Sequence, residues 1–224
     1  MRPPAEFESV GATLFQSVLS SAELERIGAL FLDAEAGRRF AWPDLVPFAG
    51  LLQPDGSIGE IAALLIGRPA RVVRAIAFDK SPQTNWRLGW HQDRVIAVRE
   101  RIDVEGFSGW TCKSGQMHVQ PPIGIIDRMV TLRIHVDATD PANAPLRIVA
   151  GSHKQGRLSE DEIVAVQESG QSLICLAQPG DVWAYSTSVV HASAEQSRAG
   201  RRRVLQLDYS ADELPGGLEW QPQI

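Results

Sequence analysis

The sequence predicts a mainly β fold, a sandwich or barrel, with helices gathered at its N-terminal end. Three observations predict it. After Pro69, short segments rich in valine, isoleucine and aromatic residues recur between turn residues. Glycine and proline, 19 and 14 of 224 residues, exceed their usual combined share of about 12% and favour many turns over long helices. The first seventy residues carry instead a helical spacing of apolar positions. With 44% hydrophobic and 22% charged residues, the 224-residue chain is neither disordered nor collagen-like nor a coiled coil. It is long enough to bury roughly 70% of its unfolded surface. One domain spanning 1–224 is expected, with a mostly helical extension (1–70) packed on a β core (71–210).

The elements follow in order. Ser21, Glu23 and Glu25, then Ile27, Leu30 and Phe31, describe a capped amphipathic helix ending near Gly37. A second short helix spans 57–65, stopped by Gly67 and Pro69. Strands are expected at 72–78, 94–98, 129–136, 146–149, 173–177, 182–185 and 204–209. Residues 105–122 contain Gly106, Gly109, Gly115 and a proline pair, and read as a long functional loop.

Charge and composition narrow the function. A net charge of −5 gives no basic face for nucleic acid. Arginine outnumbers lysine 19 to 3, for which biased genome composition is the plainer account than anion clamps. Two cysteines, Cys112 and Cys175, make no disulfide framework and fit a reducing compartment. Met1-Arg2-Pro3-Pro4 leads into acidic sequence with no apolar signal region, and no apolar run approaches a membrane span. A cytoplasmic protein is expected.

Five histidines stand out: His91, His118, His135, His153 and His191. In Trp90-His91-Gln92-Asp93 the histidine and aspartate lie two apart, on one side of a strand, where they can share an ion. A third ligand would complete the 2-His-1-carboxylate face of non-haem Fe(II) oxygen chemistry. Taken alone, the pair is better explained by a hydrogen-bonded histidine on a surface strand. His191 follows a turn and an apolar strand, and Arg202, eleven residues on, opens the next. An arginine there could pair bidentately with a dicarboxylate co-substrate. Taken alone, the triplet Arg201-Arg202-Arg203 reads more readily as a solvated strand edge.

Asn85-Trp86, Trp90-His91-Gln92-Asp93, the segments 132–137 and 145–154, His191-Ala192-Ser193 and Arg202 occur in an order that resembles the phytanoyl-CoA dioxygenase family. The resemblance covers roughly residues 70–210. It implies a double-stranded β-helix, a cupin-like jelly roll, and an enzyme using Fe(II), 2-oxoglutarate and O2 on a small-molecule substrate. It assigns the metal to His91, Asp93 and His191, which are also the catalytic centre. It assigns the far carboxylate of 2-oxoglutarate to Arg202, with Arg201 and Arg203 as alternatives, and adds Ser193, Gln92 and Arg133 as co-substrate contacts. One departure is Asn143-Ala144-Pro145-Leu146, where the family often has N-G-x-L. Of the other residues, His153 is expected in a structural turn and His118 in solvent on the long loop. His135 either lines the pocket or braces it, and Trp110 is the best aromatic candidate for substrate contact. Asp93 fills the position that an iron halogenase would leave for halide, which favours hydroxylation or a related oxidation. A non-catalytic jelly-roll module and a cupin-like metalloenzyme without 2-oxoglutarate are the competing readings, and neither needs an arginine at position 202.

Overall fold

The computed structural model describes residues 3–32 and 37–221. Its helices are α1 (Ala5–Val10), α2 (Ser21–Ala29), α3 (Trp42–Leu45), α4 (Ala49–Leu52), α5 (Ser57–Ile66), α6 (Ile123–Ile126) and α7 (Glu160–Ser169). Its strands are β1 (Ala12–Phe15), β2 (Arg71–Lys80), β3 (Leu88–His91), β4 (Ile96–Val98), β5 (Ser108–Lys113), β6 (Gln116–Gln120), β7 (Val130–His135), β8 (Leu146–Val149), β9 (Ser172–Cys175), β10 (Val182–Ser186), β11 (His191–Ser193) and β12 (Arg202–Ser210). All strand pairings are antiparallel. A large sheet, ordered β1-β10-β7-β12-β2, faces a smaller one, β3-β11-β8-β9, and a third sheet, β4-β6-β5, stands beside them. This is the jelly roll expected.

The large sheet is amphipathic by alternation, and that decides what lies on each side. Ile134 opposite Leu205 and Leu132 opposite Leu207 point outward. They pack on Ile27, Phe31, Phe40, Leu45, Phe48, Ile58 and Leu65 of the N-terminal segment. Each such side chain contributes about 1.5–3 kcal/mol by leaving water, so this layer is the main core. The intervening residues point inward and are unusually polar. His135 lies opposite Val204, Arg133 opposite Gln206 and Thr131 opposite Asp208. Across the next strand, Arg202 meets Lys80 and Asp208 meets Arg74. A sheet with a greasy back and a charged front is a wall built around a site.

Several local expectations change. The cap of α2 is Ser20, whose hydroxyl and Glu23 form a capping box. The helix stops at Ala29, short of Gly37, and 33–36 lie outside the described residues. The N-terminal segment is not all helical, because β1 pairs with β10 at the edge of the large sheet. The long loop at 105–122 is mostly a hairpin. Ser114 and Gly115 both have left-handed backbones (φ 51° and 72°), the signature of a two-residue type I′ turn joining β5 to β6. His191, which the sequence places after an apolar strand, opens a strand of its own, β11, in the small sheet.

Candidate active site

The two sheets bring the expected triad together. His91 and His191 are direct partners between β3 and β11, with ring centroids 4.3 Å apart. Asp93 lies two residues past the end of β3, and one ligand atom from each of the three residues falls within 4.8 Å of the others. Hydrogen bonds fix the imidazoles in the useful form. His91 Nδ1 faces the Gly89 carbonyl at 2.8 Å and His191 Nδ1 faces the Val189 carbonyl at 3.0 Å. A nitrogen facing a carbonyl must carry a proton, so the neutral ring takes the Nδ1–H tautomer with its lone pair on Nε2. Burial and the neighbouring His91 push His191 down to about 4, which keeps it neutral at ordinary pH. Burial raises Asp93, but the Arg74 guanidinium and then the two imidazoles outweigh it and hold the carboxyl below its usual range. Two imidazoles turned with Nε2 away from the Gly89 and Val189 carbonyls and one carboxylate are the donor set of a divalent iron site.

Beside the triad lies a cationic pocket. Arg202, on the inner face of β12, is 1% exposed and donates from Nη1 to the Ala144 carbonyl at 2.7 Å. Its Nε is buried without a partner, as is that of Arg133. Arg133 donates to Gln206 Oε1 at 2.9 Å and lies over the Phe78 ring. Ser193 Oγ donates to the same Ala144 carbonyl at 3.1 Å and accepts from Lys80 Nζ at 3.0 Å. None of Lys80, Arg133 and Arg202 has a carboxylate partner among the described residues. Burial and the nearby Arg133 lower Arg202 to about 9. Burial, Arg202 and Arg133 lower Lys80 to about 7. Buried cations without counter-charges are costly, and a dicarboxylate with donors aimed at it is what this pocket lacks. The neighbouring arginines are already spoken for. Arg201 grips Asp79 with both forks, and Arg203 grips Asp137. Alternation on β12 turns those two outward and only Arg202 inward.

Residues 7–204 match the family model of phytanoyl-CoA dioxygenase (PhyH). The chain belongs to the phytanoyl-CoA dioxygenase family. It is therefore an Fe(II)- and 2-oxoglutarate-dependent oxygenase. No curated protein sequence matches it. Solved structures share the fold at low identity. AviO1 from Streptomyces viridochromogenes Tue57 is 20% identical with a TM-score of 0.63, and the match covers 94% of each chain. EctD from S. alaskensis, solved with 2-oxoglutarate and 5-hydroxyectoine, is 16% identical with a TM-score of 0.66, over 92% of this chain and 74% of that one. SnoK, a non-haem α-ketoglutarate-dependent carbocyclase from nogalamycin biosynthesis, is 17% identical with a TM-score of 0.67, over 98% of this chain and 85% of that one.

Within this phytanoyl-CoA dioxygenase family member, some expected residues stand elsewhere. Gln92 is not a co-substrate contact. It lies between two inward residues and so faces the other way, where Nε2 donates to Gly156 and Ser188 carbonyls and Oε1 accepts from Leu158 N–H. Its hydrogen-bonding groups tie the loop that precedes α7 to the turn between β10 and β11. His118 is not solvated: it is fully buried on β6, with Nδ1 on the Gln116 carbonyl and Nε2 unpartnered. Trp110 packs against the Ile96–Val119 cluster under Arg101. His153 packs its ring on Gly11, whose left-handed backbone leaves no room for a Cβ. His135 is buried near Arg133 and Arg202, with Nδ1 on Thr139 Oγ1. The charged residues that the sequence reading missed are Lys80, Arg74 and Asp208. Their signal was charge inside apolar strands, as in Val73-Arg74-Ala75 and Leu207-Asp208-Tyr209. No described helix is long and apolar enough to cross a membrane.

Proposed function

We propose that His91, Asp93 and His191 hold Fe(II), and that Arg202, helped by Lys80, Ser193 and Arg133, receives the distal carboxylate of 2-oxoglutarate. One observation carries the reading: a two-histidine, one-carboxylate cluster stands next to three buried cations that form no ion pair among the described residues. Bound iron, with 2-oxoglutarate and O2, supplies the oxidising power that turns a substrate C–H into C–OH while 2-oxoglutarate is split into succinate and CO2.

The chain's own part is binding, orientation and exclusion of water. The carbonyls of Gly89 and Val189 lock both imidazoles with Nε2 toward one point. The planar fork of Arg202, itself held by Ala144, sets the direction along which a dicarboxylate lies. Phe78 and Trp86 shield the Arg133 and Lys80 charges from water. The substrate enters from a cavity of about 590 Å³ whose lining includes His91, Asp93, Val95, Lys113, Ile163 and Val164. Its size and mixed lining suit a small organic molecule, and Asp93 occupies the position that a halide would need. Because β1 completes the large sheet, the chain is read as one oxygenase domain. The free thiols of Cys112 and Cys175 support a cytoplasmic setting.

The test is succinate. Purified protein given Fe(II) and 2-oxoglutarate under air releases succinate slowly even without its primary substrate. His91→Ala abolishes that release with the circular dichroism spectrum unchanged. No succinate from the wild type, across a panel of candidate organic substrates, would return the protein to the reading of a non-catalytic module.

A further inference from the structure

Asp93 does not stand alone. Arg74 Nη2 donates to Asp93 Oδ2 at 3.0 Å, and its Nε donates to Asp208 Oδ2. Asp208 Oδ1 in turn accepts from Thr131 Oγ1 at 3.0 Å, and Thr131 meets Thr187 Oγ1 at 3.0 Å. Thr187 lies in the turn that leads to His191, two residues before the Val189 carbonyl that holds the His191 ring. The chain of contacts thus runs from Asp93 through β2, β12 and β7 to the turn carrying the second histidine. Arg74 and Asp208 are 5% and 1% exposed. Burying such a group is weak evidence for stability, since an apolar replacement often serves the fold as well or better. Its geometry, by contrast, bears directly on the site.

We infer that Arg74, braced by Asp208, is a positioning residue that occupies one oxygen of Asp93, so that Asp93 offers a metal only the other. The inference rests on the metal reading above. A guanidinium on one oxygen prevents the carboxylate from chelating with both and keeps adjacent coordination positions free for co-substrate. Asp208 is needed because it shares the arginine. Its hold on the Nε side of the guanidinium fixes the plane from which Nη2 reaches Asp93. Lysine cannot replace the fork, since one ammonium on a flexible stem does not span two carboxylates in fixed planes.

The test uses metals as probes. Mn(II) affinity is read by calorimetry and coordination by the visible spectrum of the Co(II) form, on wild type, Arg74→Lys, Asp208→Asn and Thr131→Val. Arg74→Lys and Asp208→Asn are expected to weaken Mn(II) binding roughly 10–100-fold and to alter the Co(II) spectrum. Thr131→Val, which removes one donor to Asp208, is expected to do so less. A purely structural role would lower thermal stability and leave the Co(II) spectrum of the folded fraction unmoved. Wild-type affinity and spectrum in folded Arg74→Lys and Asp208→Asn would overturn the inference. If both variants fail to fold, Thr131→Val decides by the same criterion. Wild-type protein that binds no Mn(II), or His91→Ala that binds it equally well, would instead sink the metal reading and this inference with it.

Discussion

Lys80 shows how much a single residue's setting changes its chemistry. Burial, with Arg202 and Arg133 close by, brings its ammonium down to about 7, so it is partly neutral at physiological pH while the pocket holds no ligand. A carboxylate beside it restores the charge and raises that value. Linkage fixes the sign. The liganded form binds the extra proton more tightly, so 2-oxoglutarate affinity is constant below pH 7 and falls as pH rises through 7 toward the raised value of the complex. Calorimetry at saturating Mn(II), in buffers of different ionisation enthalpy, should show proton uptake on binding near pH 7.5. Lys80→Met should bind more weakly and lose the dependence, whereas equal pH profiles in the two proteins would refute the assignment. Lys80 was not legible in the sequence as a site residue, and neither were Arg74 and Asp208. Each acts through a partner more than a hundred residues away or on another strand, and only register reveals that. The proposed triad and Arg202 could be picked out because their spacing is local to two segments and carries a family resemblance. Gln92 was misread for want of one step of strand alternation, the rule that had linked its two neighbours.

At the scale of elements, the strands most visible in the sequence were those with long apolar runs, namely β2, β7, β10 and β12, since their outward faces meet the helical layer. Those missed had other reasons for being strands. β5 is exposed along most of its length, and β1 owes its state to pairing with β10. Their formation depends on partners and on the Ser114-Gly115 turn. The helix α7 did have a local signal, the capping box from Ser159 to Glu162. The turn before β8 yields a prediction. Ala144 sits where the family often has glycine, with a left-handed backbone (φ 61°), and its carbonyl accepts from both Arg202 and Ser193. A Cβ there costs about 1–2 kcal/mol, against roughly 0.5–1 kcal/mol of extra freedom that glycine adds to the unfolded chain. Ala144→Gly should therefore raise the urea midpoint by an amount equivalent to about 0.5 kcal/mol, with 2-oxoglutarate affinity retained because the carbonyl stays. A lower midpoint would show that the turn carries no such strain.

The whole molecule is a compromise between its two sheet faces. The outward face of the large sheet stabilises the fold through the helices, while the inward face confines Arg133, Arg202 and Lys80, which form no ion pair among the described residues. Ligand-free protein must therefore be less stable than its architecture allows, and ligand must restore the difference. Replacing Arg202 by methionine keeps the long apolar stem and removes the buried charge, so the ligand-free variant should be more stable, by about 1–4 kcal/mol on the pattern of buried ions exchanged for apolar groups. The wild type should respond to ligand in the opposite sense. Mn(II) with 2-oxoglutarate at about 100 times its Kd adds about 2.7 kcal/mol, which for a domain of this size is roughly 5–10 °C in Tm. Arg202→Met should show the higher starting Tm and almost no 2-oxoglutarate shift, yet the same shift with Mn(II) alone, because the triad is untouched. Scanning calorimetry on both proteins with and without each ligand separates these terms. A variant that starts less stable than the wild type would mean that the Arg202 contact with the Ala144 carbonyl outweighs the cost of its charge. A variant that keeps the full 2-oxoglutarate shift would mean that Lys80 and Arg133 hold the dicarboxylate without it. The expected pattern, higher stability joined to lost co-substrate response, would identify the inward cations as kept for binding at the expense of the fold.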